Sequence, residues 1–201
     1  SDKTGTLTKN QMTVVEEHPS SGNPDRLITV SVLCCDAKEV KNSEGGTTRV
    51  GDPTEIALID LGAKHGVHKA SLDTACPRVG EVAFDSSRKR MSTINRMQDG
   101  GLQVNVKGGL DEVLSVCTHI ETAEGVRKIT GEDIAGLQEM NRQMAERALR
   151  VLAMGYKPVD KISSEMEEVE SGLIFAGMTG MIDPEREEVI GAIKECHEAG
   201  I

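Results

Sequence analysis

Residues 1–8 hold the side chains best suited to chemistry. Asp2 offers a carboxylate oxygen, Lys3 a cation beside it, Thr4 and Thr6 hydroxyls, and Gly5 a backbone free to wrap a tetrahedral oxyanion. That is the residue set of a phosphoryl acceptor, although Asp2 taken alone reads more readily as a polar strand end before a threonine-rich turn. A second group lies mid-chain, where Phe84, Asp85, Ser86, Ser87, Arg88, Lys89 and Arg90 run together. The chain has only two Phe, one Tyr and no Trp, so an aromatic in this polar setting is conspicuous. Arg88, Lys89 and Arg90 form a local basic cluster that could bind phosphates or simply face water. Lys107 precedes Gly108 and Gly109, whose lack of side chains lets a ligand approach the backbone.

The elements that position these residues can be read from periodicity and punctuation. Strands are predicted over 12–18, 79–84, 91–97, 102–107, 151–156 and 173–181, where apolar residues alternate or run together. Helices are predicted over 27–37, from Asp52 to about residue 65, from Gly109 to about residue 116, and from Thr130 to about residue 149. Asp52 suits an N-cap, Pro53 the first helical position, and Glu55 the third, from which it can reach back to the cap amide. Asp183 with Pro184 reads as the cap of a last helix whose first turn holds Glu185, Glu187 and Glu188. Hairpins are predicted over 39–50, 91–107 and 119–129, and an acidic loop over 161–171. Met91, Met97, Met140, Met144 and Met154 read as core filler, and His65 with His68 as a surface pair.

The pattern is α/β (α+β): an antiparallel sheet flanked by helices over 15–172. It is inserted between an N-terminal piece, 1–14, and a return segment, 173–201, of a partial Rossmann-like domain. The formal net charge of −10 argues against nucleic acid or an anionic membrane surface as partner. Five cysteines, an odd number without CxxC spacing, read as thiols. No apolar run approaches the roughly 20 residues of a membrane span, so the chain reads as a soluble piece cut to begin at its first motif.

Residues 1–8 resemble the phosphorylation motif of the P-type cation-transporting ATPases. Four further strings resemble that family in the same chain order: Gly51 to Glu55, Phe84 to Ser92, Lys107 to Gly109, and Asp183 to Arg186. The flavour is that of the type II pumps, especially the bacterial calcium-transporting group. The resemblance implies a nucleotide-binding domain inserted in a haloacid-dehalogenase-type phosphorylation domain, forming the cytoplasmic part of an integral membrane protein. It implies ATP and Mg²⁺ as cofactors, and the actuator, phosphorylation domain and membrane helices of the same pump as partners. Asp2 would accept the γ-phosphate, Lys3 and Thr4 would help hold it, and Asp2 and Thr4 would bind Mg²⁺.

The resemblance also assigns the nucleotide contacts. Phe84 would stack on adenine, an interaction worth about 1–3 kcal/mol. Glu55 would sit near the adenine amine, a role compatible with its capping position. Lys89, Lys107, Gly108 and Arg150 would meet the purine edge or phosphates, and Asp183 and Arg186 would reach ATP when domains close. Three positions depart from the family pattern: Ser86 where an arginine is frequent, Gly109 for alanine, and Glu185 for proline. Arg88 is a candidate to replace the contact missing at Ser86. Thr4 stands where related phosphatases carry a second Asp, which argues against a phosphatase. The alternatives are such a phosphatase, or a non-catalytic nucleotide-binding module. The expectation is weak ATP binding with little or no turnover by this chain alone. Lys107→Ala is expected to weaken binding severalfold and leave the melting temperature nearly unchanged.

Overall fold

The computed structural model describes residues 8–9, 11–42, 46–163 and 165–184. Among them, β1 (Thr13–Pro19) leads through the Ser20–Asn23 turn into α1 (Asp25–Leu33), two residues earlier than predicted at the start and four at the end. Cys34 and Cys35 therefore follow the helix instead of completing it. The hairpin β2 (Lys38–Lys41) and β3 (Thr47–Val50) forms a small sheet of its own.

Helix α2 (Pro53–Lys64) starts as its sequence dictates. The Asp52 carboxylate accepts the Thr54 amide at 2.8 Å, and Pro53 occupies a position whose N–H would have no helical partner. Glu55 does not complete a capping box. Its carboxylate turns away to the amides of Asp36 (2.9 Å) and Ala37 (2.8 Å). Helix α3 (Lys69–Ala75), absent from the sequence reading, packs against α1 and β2.

Strands β4 (Arg78–Asp85), β5 (Arg90–Arg96) and β6 (Leu102–Gly108) form an antiparallel meander, followed by α4 (Leu110–Leu114). The hairpin β7 (Cys117–Thr122) and β8 (Gly125–Lys128) leads to α5 (Gly131–Glu146). A complete capping box starts α5: Thr130 Oγ1 accepts the Asp133 amide at 3.2 Å and Asp133 Oδ2 accepts the Thr130 amide at 2.8 Å. Strand β9 (Arg150–Val159), the short helix α6 (Met166–Val169) and β10 (Leu173–Ile182) close the described chain.

The large sheet runs β4-β5-β6-β9-β10-β7-β8, with β1 also paired to β10. Every pairing is antiparallel except the short β10–β7 contact. The sequence reading puts 173–201 in a separate return segment. The hydrogen bonding instead sets Leu173–Ile182 inside the sheet, between β9 on one side and β1 and β7 on the other. The helix expected after Asp183 lies outside the described residues.

The sheet is the middle of three layers. On one face Leu27, Ile28, Val30, Leu58 and Leu61 of α1 and α2 pack on Met154, Tyr156 and Met181. On the other, Val113, Leu114 and Met144 of α4 and α5 pack on Val104, Val106, Phe175 and Met178. Burying each such side chain contributes about 1.5–3 kcal/mol. Period two decides what β6 shows each layer. Val104 and Val106 enter the second core, while Gln103, Asn105 and Lys107 alternate with them and are also buried. A polar face this deep needs partners. Gln103 Nε2 donates to Asn105 (2.7 Å), Asn105 Nδ2 to Asn95 (3.1 Å), and Asn95 Nδ2 to the Cys76 carbonyl (2.9 Å). Arg26 Nη1 donates to Gln103 (3.2 Å), and its guanidinium lies 4.5 Å from the Tyr156 ring centre. Lys107 stands at the far end of this ladder, where the sheet opens into a cleft.

Candidate functional site

The cleft has a volume of about 590 Å³. Its walls come from the segment after α1, the start of α2, the β4–β5 turn, the end of β6 and the start of β9. They bring together Glu55, Phe84, Lys89, Lys107, Gly108 and Arg150, six of the residues singled out from the sequence. Phe84 projects into the cleft and is 62% exposed as a residue. Leaving a phenyl ring in water forfeits its burial energy, so a conformation that does so offers a flat apolar surface to a partner. Met91, Val151 and Leu152 add apolar wall; Asp36 and Asp52 add carboxylates beside Glu55.

The β4–β5 turn is built to separate its three basic residues. Asp85 Oδ1 accepts the amides of Ser87 (2.9 Å) and Arg88 (3.1 Å), and the Ser87 hydroxyl donates to the same oxygen. The Ser87 hydroxyl, followed by these amides, lowers the Asp85 carboxyl below its ordinary range. The Lys89 amide donates to the Asp85 carbonyl at 2.7 Å, with Lys89 in the left-handed region at φ 48°. Arg88 and Arg90 turn the other way, to Glu170, whose side chain is 1% exposed. Arg88 Nη1 donates to it at 2.6 Å, Arg90 Nε at 2.7 Å and Ser92 Oγ at 2.5 Å. Burial by itself would raise the Glu170 carboxyl; the hydrogen bonds from Arg88, Ser92 and Arg90 outweigh it, and the net direction is down. Arg88 is thus committed to Glu170 and does not stand in for the contact missing at Ser86. Of the basic trio, only Lys89 joins the cleft.

Lys107 lines the cleft but is buried. It is 8% exposed, and its ammonium donates to Glu55 Oε1 with Cys35 Sγ 3.6 Å away. Burial by itself would lower the Lys107 pKa; the Cys35 and Cys34 sulfurs and the Glu55 carboxylate oppose it, and the net direction is up. Burial pushes the Cys35 thiol up to about 12, so at neutral pH the counter-charge is Glu55. Glu55 thus ties together the α1 terminus, the α2 start and β6. Gly108 is required by proximity: a Cβ there would lie 2.6 Å from the Lys89 carbonyl oxygen and from the Arg90 Cβ.

The sequence that builds this cleft matches one family model over residues 23–188: P-type ATPase, cytoplasmic domain N. The chain belongs to that family. Relatives of this N domain include calcium-transporting ATPases of Bacillus cereus (36% identical), Listeria monocytogenes (38%) and Lactococcus lactis (39%). Each alignment covers 100% of this chain and 23–24% of the relative, so the chain spans about a quarter of the length of the curated relatives it matches.

Five of the site residues predicted from the sequence remain. Asp2, Lys3, Thr4 and Arg186 fall outside the described residues. Asp183 does not line the cleft; it follows β10, beyond Met181, which pairs with Arg150. Its carboxylate accepts Thr8 Oγ1 at 2.5 Å and the Gln11 amide at 3.1 Å, while the Lys9 amide donates to the Pro184 carbonyl at 3.0 Å. It ties the two ends of the described chain together. Among the described residues no group of three or more His, Cys, Asp or Glu side chains is arranged to hold a metal ion, and no helix is long and apolar enough to cross a membrane. The sequence reading did not single out Asp36, Asp52, Met91 or Leu152 as site residues. Asp52 was legible as a cap and Met91 as core filler, each within a family-like string, while Asp36 and Leu152 carry no local signal.

Proposed function

We propose that the cleft binds ATP and that the chain serves phosphoryl transfer to Asp2 in a calcium-transporting P-type ATPase. The supporting observation is the convergence of an exposed ring, Phe84, with the cations of Lys89, Lys107 and Arg150 in one cleft of an otherwise acidic chain. Adenine would stack on Phe84, with its amine toward the Glu55 carboxylate and its edge toward Lys107. The phosphates would then run toward Lys89 and Arg150, where charge-assisted hydrogen bonds hold them.

In the intact pump the Asp2 carboxylate would attack the γ-phosphorus, and the bond to the β–γ bridging oxygen would break, releasing ADP and leaving an aspartyl-phosphate. Lys3 and Thr4 would steady the transferred group. Mg²⁺, implied at Asp2 and Thr4 by resemblance, would supply charge neutralisation between the carboxylate and the polyanion. Actuator, phosphorylation domain and membrane helices would complete the cycle. The nucleotide-binding unit would run from about Thr13 to Ile182, the outer ends of β1 and β10, with pieces of the phosphorylation domain on either side.

ATP titration of the chain followed by amide NMR tests this reading. Saturable shifts at Phe84, Lys89 and Lys107 are expected. Shifts absent from these residues at millimolar ATP would refute it.

A further inference from the structure

One acidic side chain at the cleft has no part in the reading above. The Lys89 ammonium, which that reading assigns to phosphate, lies 3.0 Å from Glu112 Oε1. Glu112 sits in α4, one turn past Gly109, and its other oxygen rests against the Gly109 backbone. A Cβ at 109 would lie 2.2 Å from Glu112 Oε2 and 3.2 Å from its Cδ. Gly109 also donates its amide to the Lys89 carbonyl at 3.1 Å, so the carboxylate occupies a notch framed by two cleft-lining residues. Only a residue without a Cβ leaves that notch open. Arg90, through Nη1, holds the Glu112 carbonyl at 3.3 Å and so fixes the backbone that carries the carboxylate. The hydrogen bond from Lys89 lowers the Glu112 carboxyl below its ordinary range, so it is ionised at neutral pH.

We propose that Glu112 is an internal competitor for the nucleotide phosphates: its carboxylate occupies the cation they would use, and a ligand must displace it to reach Lys89. Glu112 thereby sets the affinity for phosphate-bearing ligands without touching the ring-binding end of the cleft. The geometry explains why the cleft does not keep a bare lysine: Glu112 neutralises Lys89 until a stronger anion arrives. A polyphosphate carries several negative charges and multiple acceptors, so it outcompetes a single carboxylate. Adenosine never meets the pair.

The proposal rests on the ATP reading, and its test separates the two. Binding of ATP and of adenosine is measured by calorimetry for wild type, Glu112→Gln, Gly109→Ala, Lys89→Gln and the Glu112→Gln/Lys89→Gln double variant. Gly109 has φ −61° and ψ 150°, which alanine adopts without strain, and its methyl would push the carboxylate off Lys89 while keeping every charge. Glu112→Gln should tighten ATP binding about two- to fivefold, the range for releasing a partly exposed ion pair. Gly109→Ala should shift it in the same direction. The gain should shrink as salt rises from 0.05 to 0.5 M, vanish in the Lys89→Gln background, and leave adenosine binding unchanged. ATP bound equally by wild type and Glu112→Gln overturns the proposal while leaving the ATP reading intact. An equal gain for adenosine also overturns it, because the change would then be in the shape of the cleft. Failure of wild type and Glu112→Gln alike to bind ATP overturns both readings.

Discussion

Replacing Lys107 tests whether its charge is committed to Glu55 or free in the cleft. The Lys107 side chain is 9% exposed and the Glu55 side chain 12%, so both charges are largely withdrawn from water. Breaking a buried pair by removing one partner costs about 3–5 kcal/mol when the other charge is left alone. Lys107→Met leaves Glu55 with two backbone donors, the amides of Asp36 and Ala37, and keeps most of the aliphatic stem. The loss should therefore be nearer one charge-assisted hydrogen bond, about 2 kcal/mol. For a domain of this size that lowers Tm by about 4–8 °C. Sequence context alone predicted almost no change in Tm, so the outcome discriminates. Glu55→Gln is the harsher variant, because it strands a buried ammonium whose remaining neighbour is the Cys35 thiol, and should cost about 3 kcal/mol or more. The Lys107→Met/Glu55→Gln double variant removes both charges and should be less destabilised than the sum of the singles by about 1 kcal/mol or more. Urea and thermal unfolding, each followed by circular dichroism, measure all four proteins. Singles that add to within about 0.5 kcal/mol, or a Tm for Lys107→Met within about 1 °C of wild type, would refute the reasoning.

Phe84→Ala should leave stability within about 0.5 kcal/mol, since its ring packs against little, yet weaken ATP binding by the 1–3 kcal/mol of a lost stacking partner, about 5- to 150-fold. Calorimetry showing unchanged affinity would remove the ring from the site. Glu170→Gln should cost about 2–4 kcal/mol in urea unfolding, because it leaves Arg88 and Arg90, both largely buried, without their shared carboxylate. The same carboxylate has a pH signature. Its folded pKa is lowered, so its contribution is complete above the unfolded glutamate value of about 4.3 and is lost as pH falls through the folded value. Unfolding free energy measured from pH 7 to 3 should fall less steeply in Glu170→Gln than in wild type, and parallel curves would exclude Glu170 as a source of the acid sensitivity.

Most elements were legible because their signals are local. Asp52 with Pro53 and Thr130 with Asp133 write two helix starts into adjacent residues. Alternation wrote β4, β5 and β6, and a continuous apolar run wrote β10. Helix α3 escaped because His68, at its N-cap, makes no side-chain cap bond and its seven residues complete barely two turns. Helix α5 was predicted to about residue 149 but ends at Glu146, since Ala148 turns to φ 59°. Strand β9 continues to Val159 through Pro158, a residue that ordinarily marks the end of a strand. The place of β10 inside the sheet was hidden for another reason. A buried strand reads the same whether it pairs with a separate domain or with β9, the strand before it.

The sequence by itself determined the chemistry on offer: an aspartate in a string that resembles a phosphoryl-acceptor motif, one aromatic in a polar turn, and lysines beside glycines. These are properties of residue type and near neighbours. Only the tertiary structure decided which charges are available, because each charge is matched across a long stretch of chain. Glu170 claims Arg88 and Arg90 from some 80 residues away and Glu55 claims Lys107 from 52 away. Glu112 covers Lys89 because Gly109 leaves room for it. A buried cation needs a counter-charge whatever its distance in sequence, and no local pattern reveals where that counter-charge comes from.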